Sequence, residues 1–548
     1  RSLVLARLRT GVTRDFSSDE ALWRASTLTR RTFLRSTALL GAGLAVAACT
    51  SDRSSTRSSA SIAPSGIGSD NEPQVVVVGA GLAGLTAAYR LNQAGISVRV
   101  FEARDRVGGR CWSSRGWAAD HVGEHGGEFI DTRHVHMLGL ARELGLQVDD
   151  LWSTWEPGTS SLTWVDGVDV DRKDLMAPIN EASRRIAATA RQNGSYFATD
   201  AGRRAIAFDR MTQADWIKTE TGESIDSPMG RLFSSGQASW YGLDADTLSA
   251  SNLIDYYAVE TPDDDERYTI RGGNDQVPQA MTDTLPPGSV TLESALESVR
   301  RLPSGGYELV FDSSTAPVVA DYVVLATPFT TLRDVDVVDA GLSDAKMAAI
   351  ENLGMGTNSK VLLQFDQPLR DFGNWSSYLQ RADRPQFSTW ESGSTDSSNT
   401  QYSLLTIFAG GRDGATYPTD TAHGVAPAAV SEQTLAALDE MLPGIADART
   451  GDVWLDYWTK DPWVRGSYAA FLPGNMTSYL GLMGRPEGRV HFAGEHTSIY
   501  SQGYLNGGAE SGSRVAAEIL DDLDTPYPEG LDSALREQRR YEPVYPWD

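Results

Sequence analysis

The chain has 548 residues, 22% charged and 41% hydrophobic, with a formal net charge of −25. That length exceeds what one ordinary core supports, so two interleaved domains are expected, and the acidic balance argues against a nucleic acid or an anionic surface as partner. Only two cysteines, Cys49 and Cys111, and seven scattered histidines occur, giving neither a disulfide framework nor metal-ligand spacing.

Near the N-terminus, Arg30 and Arg31 precede an apolar run over residues 38–48, the arrangement of a twin-arginine export signal. The run is too short to remain as a spanning helix. Val46-Ala47-Ala48-Cys49 reads as a lipoprotein cleavage box in which Cys49 becomes the lipidated first residue; the alternative is a simple signal peptide followed by a chance cysteine. Residues 1–48 are therefore expected to be removed, with a Ser-rich tether over 49–72 and the protein lipid-anchored outside the cytoplasm. Membrane contact is expected only through Cys49.

Four β-branched residues, Val75 to Val78, suit a strand buried on both faces of a parallel sheet. Gly79, Gly81 and Gly84 follow at the spacing that allows a tight turn, close approach of backbone N–H groups to a pyrophosphate, and close packing of the next helix. That helix is expected over 85–95. A second strand, SVRVFEA, brings Glu102 about 20 residues past the glycines, where a carboxylate can accept hydrogen bonds from ribose hydroxyls. Gly-rich turns also cap ordinary helices; strand, helix and Glu102 together favour dinucleotide binding. The fold class is an α/β Rossmann-like domain interleaved with an α+β domain.

The extension Arg104-Asp105-Arg106-Val107-Gly108-Gly109-Arg110 resembles the E-x-R-x-R-x-G-G-R segment of the flavin-dependent amine oxidases, the family of monoamine, polyamine and L-amino-acid oxidases. The resemblance implies FAD, held by Gly79, Gly81, Leu82, Ala83, Gly84, Glu102, Ala103, Arg104, Gly109 and Arg110. It further implies Gly126, Gly127 and Glu128 beside the flavin, Leu296 along the adenine, and Gly494, Glu495, Tyr504 and Leu505 at the ribityl chain and ring. FAD-binding segments are then 73–131, 265–330 and 485–522, and substrate-binding segments 132–264 and 331–484. A hairpin is expected at Trp164-Val165-Asp166-Gly167-Val168. Strands are expected near KVLLQF, YSLLTIF and VWLDYW, and a helix near 432–442. The tail 523–548, rich in Pro, Tyr and charge, carries no readable signal. No second G-x-G-x-x-G is present, so the electrons are expected to come from an organic substrate rather than from NAD(P)H.

Lys360 matches the family's strand lysine, implied to reach flavin N5 through a water. Ser467, in Arg465-Gly466-Ser467-Tyr468, stands where covalent members carry cysteine, which implies non-covalent FAD. Tyr468 and Tyr504 fall on the two positions of the family's aromatic cage, a slot that guides a neutral amine. Glu128 and Phe129 stand where amino-acid oxidases commonly have M-R, and Glu128 with Asp131 could favour a second cationic end, as in a diamine or polyamine, although surface acids are the ordinary explanation of such a pair. No proton-abstracting acid or base stands out. The implied reaction moves hydride from the α-carbon of a primary amine or polyamine to the flavin, giving imine, then aldehyde and ammonia, while dioxygen becomes hydrogen peroxide. An L-amino-acid oxidase is the second reading, and a desaturase or protoporphyrinogen-oxidase-like enzyme the third. A non-catalytic flavin-binding surface protein comes last. A homodimer stays open.

Overall fold

The computed structural model describes residues 74–151, 160–193, 203–253, 265–314, 316–373, 375–392 and 401–541. The twin-arginine stretch, the cleavage box at Cys49 and the Ser-rich tether lie outside the described residues.

Val75–Val78 forms the central strand of a five-stranded parallel sheet, and its side chains are at most 3% exposed, as an unalternating apolar run requires. The strand order is Val490–Phe492, Tyr322–Leu325, Val75–Val78, Val98–Phe101, Val290–Thr291. Val75 pairs with both Tyr322 and Val98. Distant parts of the chain thus meet at one sheet. The following helix, Leu82–Gln93, begins three residues earlier than the sequence pattern suggests, because Gly81 already serves as its N-cap. The helix Leu505–Asp522 packs against it, with Gly512 so close that a Cβ there would lie 2.2 Å from Ala83 O. Small residues on both helices permit that approach.

The second layer is an eight-stranded mixed sheet. Its order is His423–Val425, Arg449–Asp456, Ser359–Phe365, Ser403–Ala409, Phe387–Ser392, Trp375–Arg381, Ser160–Val165, Val168–Asp169. The last two strands are the hairpin expected at Asp166-Gly167, whose φ values of 54° and 75° give the turn its left-handed backbone. Ser359–Phe365 is buried at every position, flanked on both sides by antiparallel neighbours. One rung crosses His423, Asp456, Lys360 and Phe408, so these four side chains leave the sheet on one face. That face meets the loop 124–129 of the parallel-sheet half.

The unreadable tail contains a helix, Glu529–Gln538, with Leu531 and Ala534 buried. Gln538 Oε1 lies 2.9 Å from His136 Nε2, tying this helix to the helix Val135–Glu143. Among the described residues no helix is long and apolar enough to cross a membrane.

Candidate active site

A cavity of about 450 Å³ lies between the parallel sheet and the eight-stranded sheet. Its wall begins with Gly79, Gly81, Leu82 and Ala83, where the central strand ends and its helix starts. No side chain caps that helix, so its first amides stay free to meet an anion. A Cβ on Gly81 would have nothing nearer than Gly108 O at 4.0 Å and would project into the groove. Gly84 is different. A Cβ there would sit 1.9 Å from Gly79 O, and the residue does not line the cavity; it lets helix and strand close together. The second uncapped helix end, at Tyr504 and Leu505, opens on the same cavity. Two positive helix ends thus converge on it.

Glu102 is 7% exposed and receives hydrogen bonds from Ala80 N at 2.7 Å and Arg104 N at 2.9 Å. Burial raises its pKa despite those bonds. Ala103, Arg104, Gly109, Arg110 and Leu296 also line the cavity. Arg110 Nη1 donates to Glu495 Oε1 at 2.9 Å and to Ser467 O at 2.7 Å. Glu495 also accepts from Ala469 N and Gly503 N, so one carboxylate knits three segments around the cavity. Gly126, Gly127 and Gly494 stand where a Cβ would meet Arg110 O at 1.8 Å, Leu505 Cδ2 at 2.6 Å and His496 Cε1 at 2.5 Å. The loops can interlock only as glycine.

A family model described as flavin containing amine oxidoreductase matches residues 82–520. The chain belongs to this family. Pseudooxynicotine dehydrogenase from Pseudomonas sp is 25% identical over 464 residues, covering 82% of this chain and 86% of that protein. An L-amino-acid oxidase from Siganus canaliculatus is 26% identical over 467 residues, covering 81% and 85%. Among solved structures, cyclohexylamine oxidase from Brevibacterium oxydans shares the fold with a TM-score of 0.71 at 23% identity, covering 83% of this chain and all of that one. The protein is an FAD-dependent amine oxidoreductase, and the cradle just described fits a dinucleotide: uncapped helix ends, an open groove at Gly81 and a buried Glu102.

In this amine oxidoreductase the substrate-side wall carries Glu128, Phe129, Lys360, Tyr468 and Tyr504, together with Trp390 and Phe408. Tyr468 is anchored by its hydroxyl, which donates to Ser239 O at 2.9 Å, and its ring lies about 3.5 Å from where a Cβ on Gly503 would stand, one residue before Tyr504. Lys360 is 3% exposed; its Nζ donates to Glu128 Oε2 at 2.8 Å and to Glu124 O at 2.9 Å. The other Glu128 oxygen accepts from Ser392 Oγ at 2.7 Å. Ser467 lines the cavity with its hydroxyl donating to Asn358 Oδ1 at 2.7 Å.

Asp131 corrects an expectation. It is fully buried, accepts from Glu266 N and lies within 3.3 Å of Arg133 Nε and His134 Nε2, so it braces the loop instead of meeting a substrate. Sequence reasoning missed Trp390 and Phe408, whose rings lie 5.4 Å apart, with Phe129 5.4 Å from Trp390. The strand expected at YSLLTIF carries Phe408 but the one that carries Trp390, Phe387–Ser392, was not anticipated, and which face meets the cavity depends on pairing register. It also missed Arg133, which lines the cavity with its guanidinium carbon 5.4 Å from the Tyr504 ring centroid.

Proposed function

We propose that this enzyme oxidises primary amines with an apolar or aromatic body, using dioxygen as acceptor and releasing aldehyde, ammonia and hydrogen peroxide. The observation that carries the reading is the wall itself: Tyr468, Tyr504, Trp390, Phe408 and Phe129 all line the cavity, while both oxygens of Glu128 are engaged within the protein. A carboxylate already holding Lys360 and Ser392 is a poor anchor for a second ammonium, which disfavours the polyamine arm of the expectation.

Bound FAD, non-covalent because Ser467 replaces the linking cysteine, supplies the two-electron acceptor. The protein's residues do the rest. Tyr468 and Tyr504 orient the amine, and the aromatic wall excludes water and favours the neutral amine, whose lone pair is needed for oxidation. Lys360, paired with Glu128 and donating to Glu124 O, fixes the loop that forms this side of the cavity.

Peroxide release from a panel of arylalkylamines, alkylamines, diamines, polyamines and amino acids tests the proposal. Arylalkyl and alkyl monoamines should be the best substrates; turnover confined to polyamines would defeat it. A second reading, amino-acid oxidation, is supported by the 26% identity over 467 residues with an L-amino-acid oxidase. Turnover of amino acids alone would establish that reading. Export by the twin-arginine route and lipidation of Cys49 complete the proposal, and fatty-acid labelling lost in Cys49→Ala would support them.

A further inference from the structure

His423 lies on a strand outside the reaction chamber and belongs to no motif, yet it joins the two walls of the cavity. Its Nδ1 is 2.9 Å from Asp456 Oδ1 and its Nε2 is 2.9 Å from Asp461 Oδ2. Asp461 Oδ1 in turn accepts from Arg104 Nη2 at 2.6 Å, and Asp456 Oδ2 lies 2.8 Å from His125 Nδ1. Arg104 and His125 both line the cavity, one on the dinucleotide side and one in the loop that seats Lys360. The chain Arg104–Asp461–His423–Asp456–His125 is thus unbroken from wall to wall.

A neutral imidazole has one donor, whereas a ring bridging two carboxylates through both nitrogens must donate twice. We infer that His423 is held as an imidazolium and is a positioning residue for the cofactor cavity, fixing Arg104 through Asp461 and the loop at His125 through Asp456. The charges support it. With His423 positive, each buried carboxylate has a cation at hydrogen-bond distance, Asp456 from His423 and Asp461 from both His423 and Arg104. Asp456 is 0% and Asp461 1% exposed, so neither could stay ionised unpaired.

The groups facing His423 are few. Asp456 comes from the neighbouring strand, Asp461 from the turn after Trp458–Lys460, and the rings of Trp458 and Trp112 lie 4.6 Å and 5.2 Å away, with Arg106 stacked on Trp112. Burial pulls the His423 pKa down, but the two carboxylates outweigh it and the ring titrates above its ordinary value. Against the burial that would raise it, His423 and Arg104 hold Asp461 at about 2.

Deprotonation leaves one carboxylate facing a lone pair, so the grip on Arg104 or on the loop loosens as pH rises. Cofactor retention should then weaken at alkaline pH. This needs only that the cavity holds FAD, and so stands apart from which amine is oxidised. The test follows release of flavin fluorescence from the holoenzyme between about pH 7 and pH 10, with melting temperatures as a control for folding. Wild type should release flavin about tenfold faster at the alkaline end. His423→Gln should release it fast and independently of pH, and His423→Lys, which keeps a charge, should recover part of the retention. Nitrogen-15 spectra of the wild type at about pH 6.5, the ordinary imidazole value, should show both His423 nitrogens protonated. A neutral ring there, or His423→Gln matching wild type in retention and pH profile, would overturn the inference.

Discussion

Lys360 and Asp456 stand opposite each other on neighbouring antiparallel strands, and one loop answers both: Glu128 pairs with Lys360 and His125 with Asp456. The eight-stranded sheet therefore meets the dinucleotide half through matched charges as well as packing. Removing one member of such a buried pair leaves its partner uncompensated.

Lys360→Met should therefore cost roughly 3–5 kcal/mol of stability, because the Glu128 carboxylate, its side chain only 9% exposed, is left with only Ser392 as donor. Adding Glu128→Gln should recover most of that loss. Urea titration of both single variants and the double variant measures the coupling; strictly additive losses would mean the pair contributes nothing specific.

Trp390 tests the aromatic wall. It is 5% exposed, packs between Phe129 and Phe408, and lies 5.5 Å from Lys360 Nζ. Trp390→Ala should raise KM for arylalkylamines about tenfold or more while changing kcat little, since the ring contributes binding common to ground and transition states. An unchanged KM across the amine panel would place the substrate body elsewhere.

Acid should destabilise the protein through two buried histidines. Burial lowers both His136 and His496 to about 4, and neither ring faces a carboxylate hydrogen bond; His136 is bracketed by Ser513 and Gln538. The unfolded chain takes up a proton at each near the ordinary value of 6.5, the folded chain only near 4. Stability is therefore full above about 6.5 and falls as pH drops toward 4, by on the order of 3 kcal/mol for each ring. Melting curves at about pH 7.5 and pH 5 measure it, and His496→Gln should flatten part of the difference.

Local chemistry made much of this molecule legible. Val75–Val78, the glycine turn and Glu102 were readable because strand, turn and acid lie within one short βαβ unit whose geometry is fixed by sequence-near contacts. Lys360, Tyr468 and Tyr504 were placed by motif, and the structure brings all three to one cavity. What stayed hidden depends on register and long closure. His423 pairs with Asp456 only because two strands align, and Arg104 meets Asp461 across 357 residues of chain. The fate of Glu128 was hidden for the same reason: its proximity to the glycine loop was visible, but Ser392 is brought to it by a strand 264 residues away.

Two neighbouring glycines separate cofactor binding from folding. At Gly84 a Cβ would overlap Gly79 O at 1.9 Å and press on Val77 Cγ1 at 3.0 Å, so Gly84→Ala must push the helix off the central strand. A cost of about 3 kcal/mol or more is expected, because backbone atoms cannot move aside as a flexible side chain would. Gly81 has φ of −74°, which any residue adopts, and open space where its Cβ would stand. Gly81→Ala should fold, and melt like wild type when both are stripped of flavin, yet hold far less flavin, since the added methyl occupies the groove where the pyrophosphate must approach the helix amides. Far-UV melting curves and the ratio of flavin to protein absorbance distinguish the two. Full flavin content in Gly81→Ala would show that the dinucleotide does not lie on this turn.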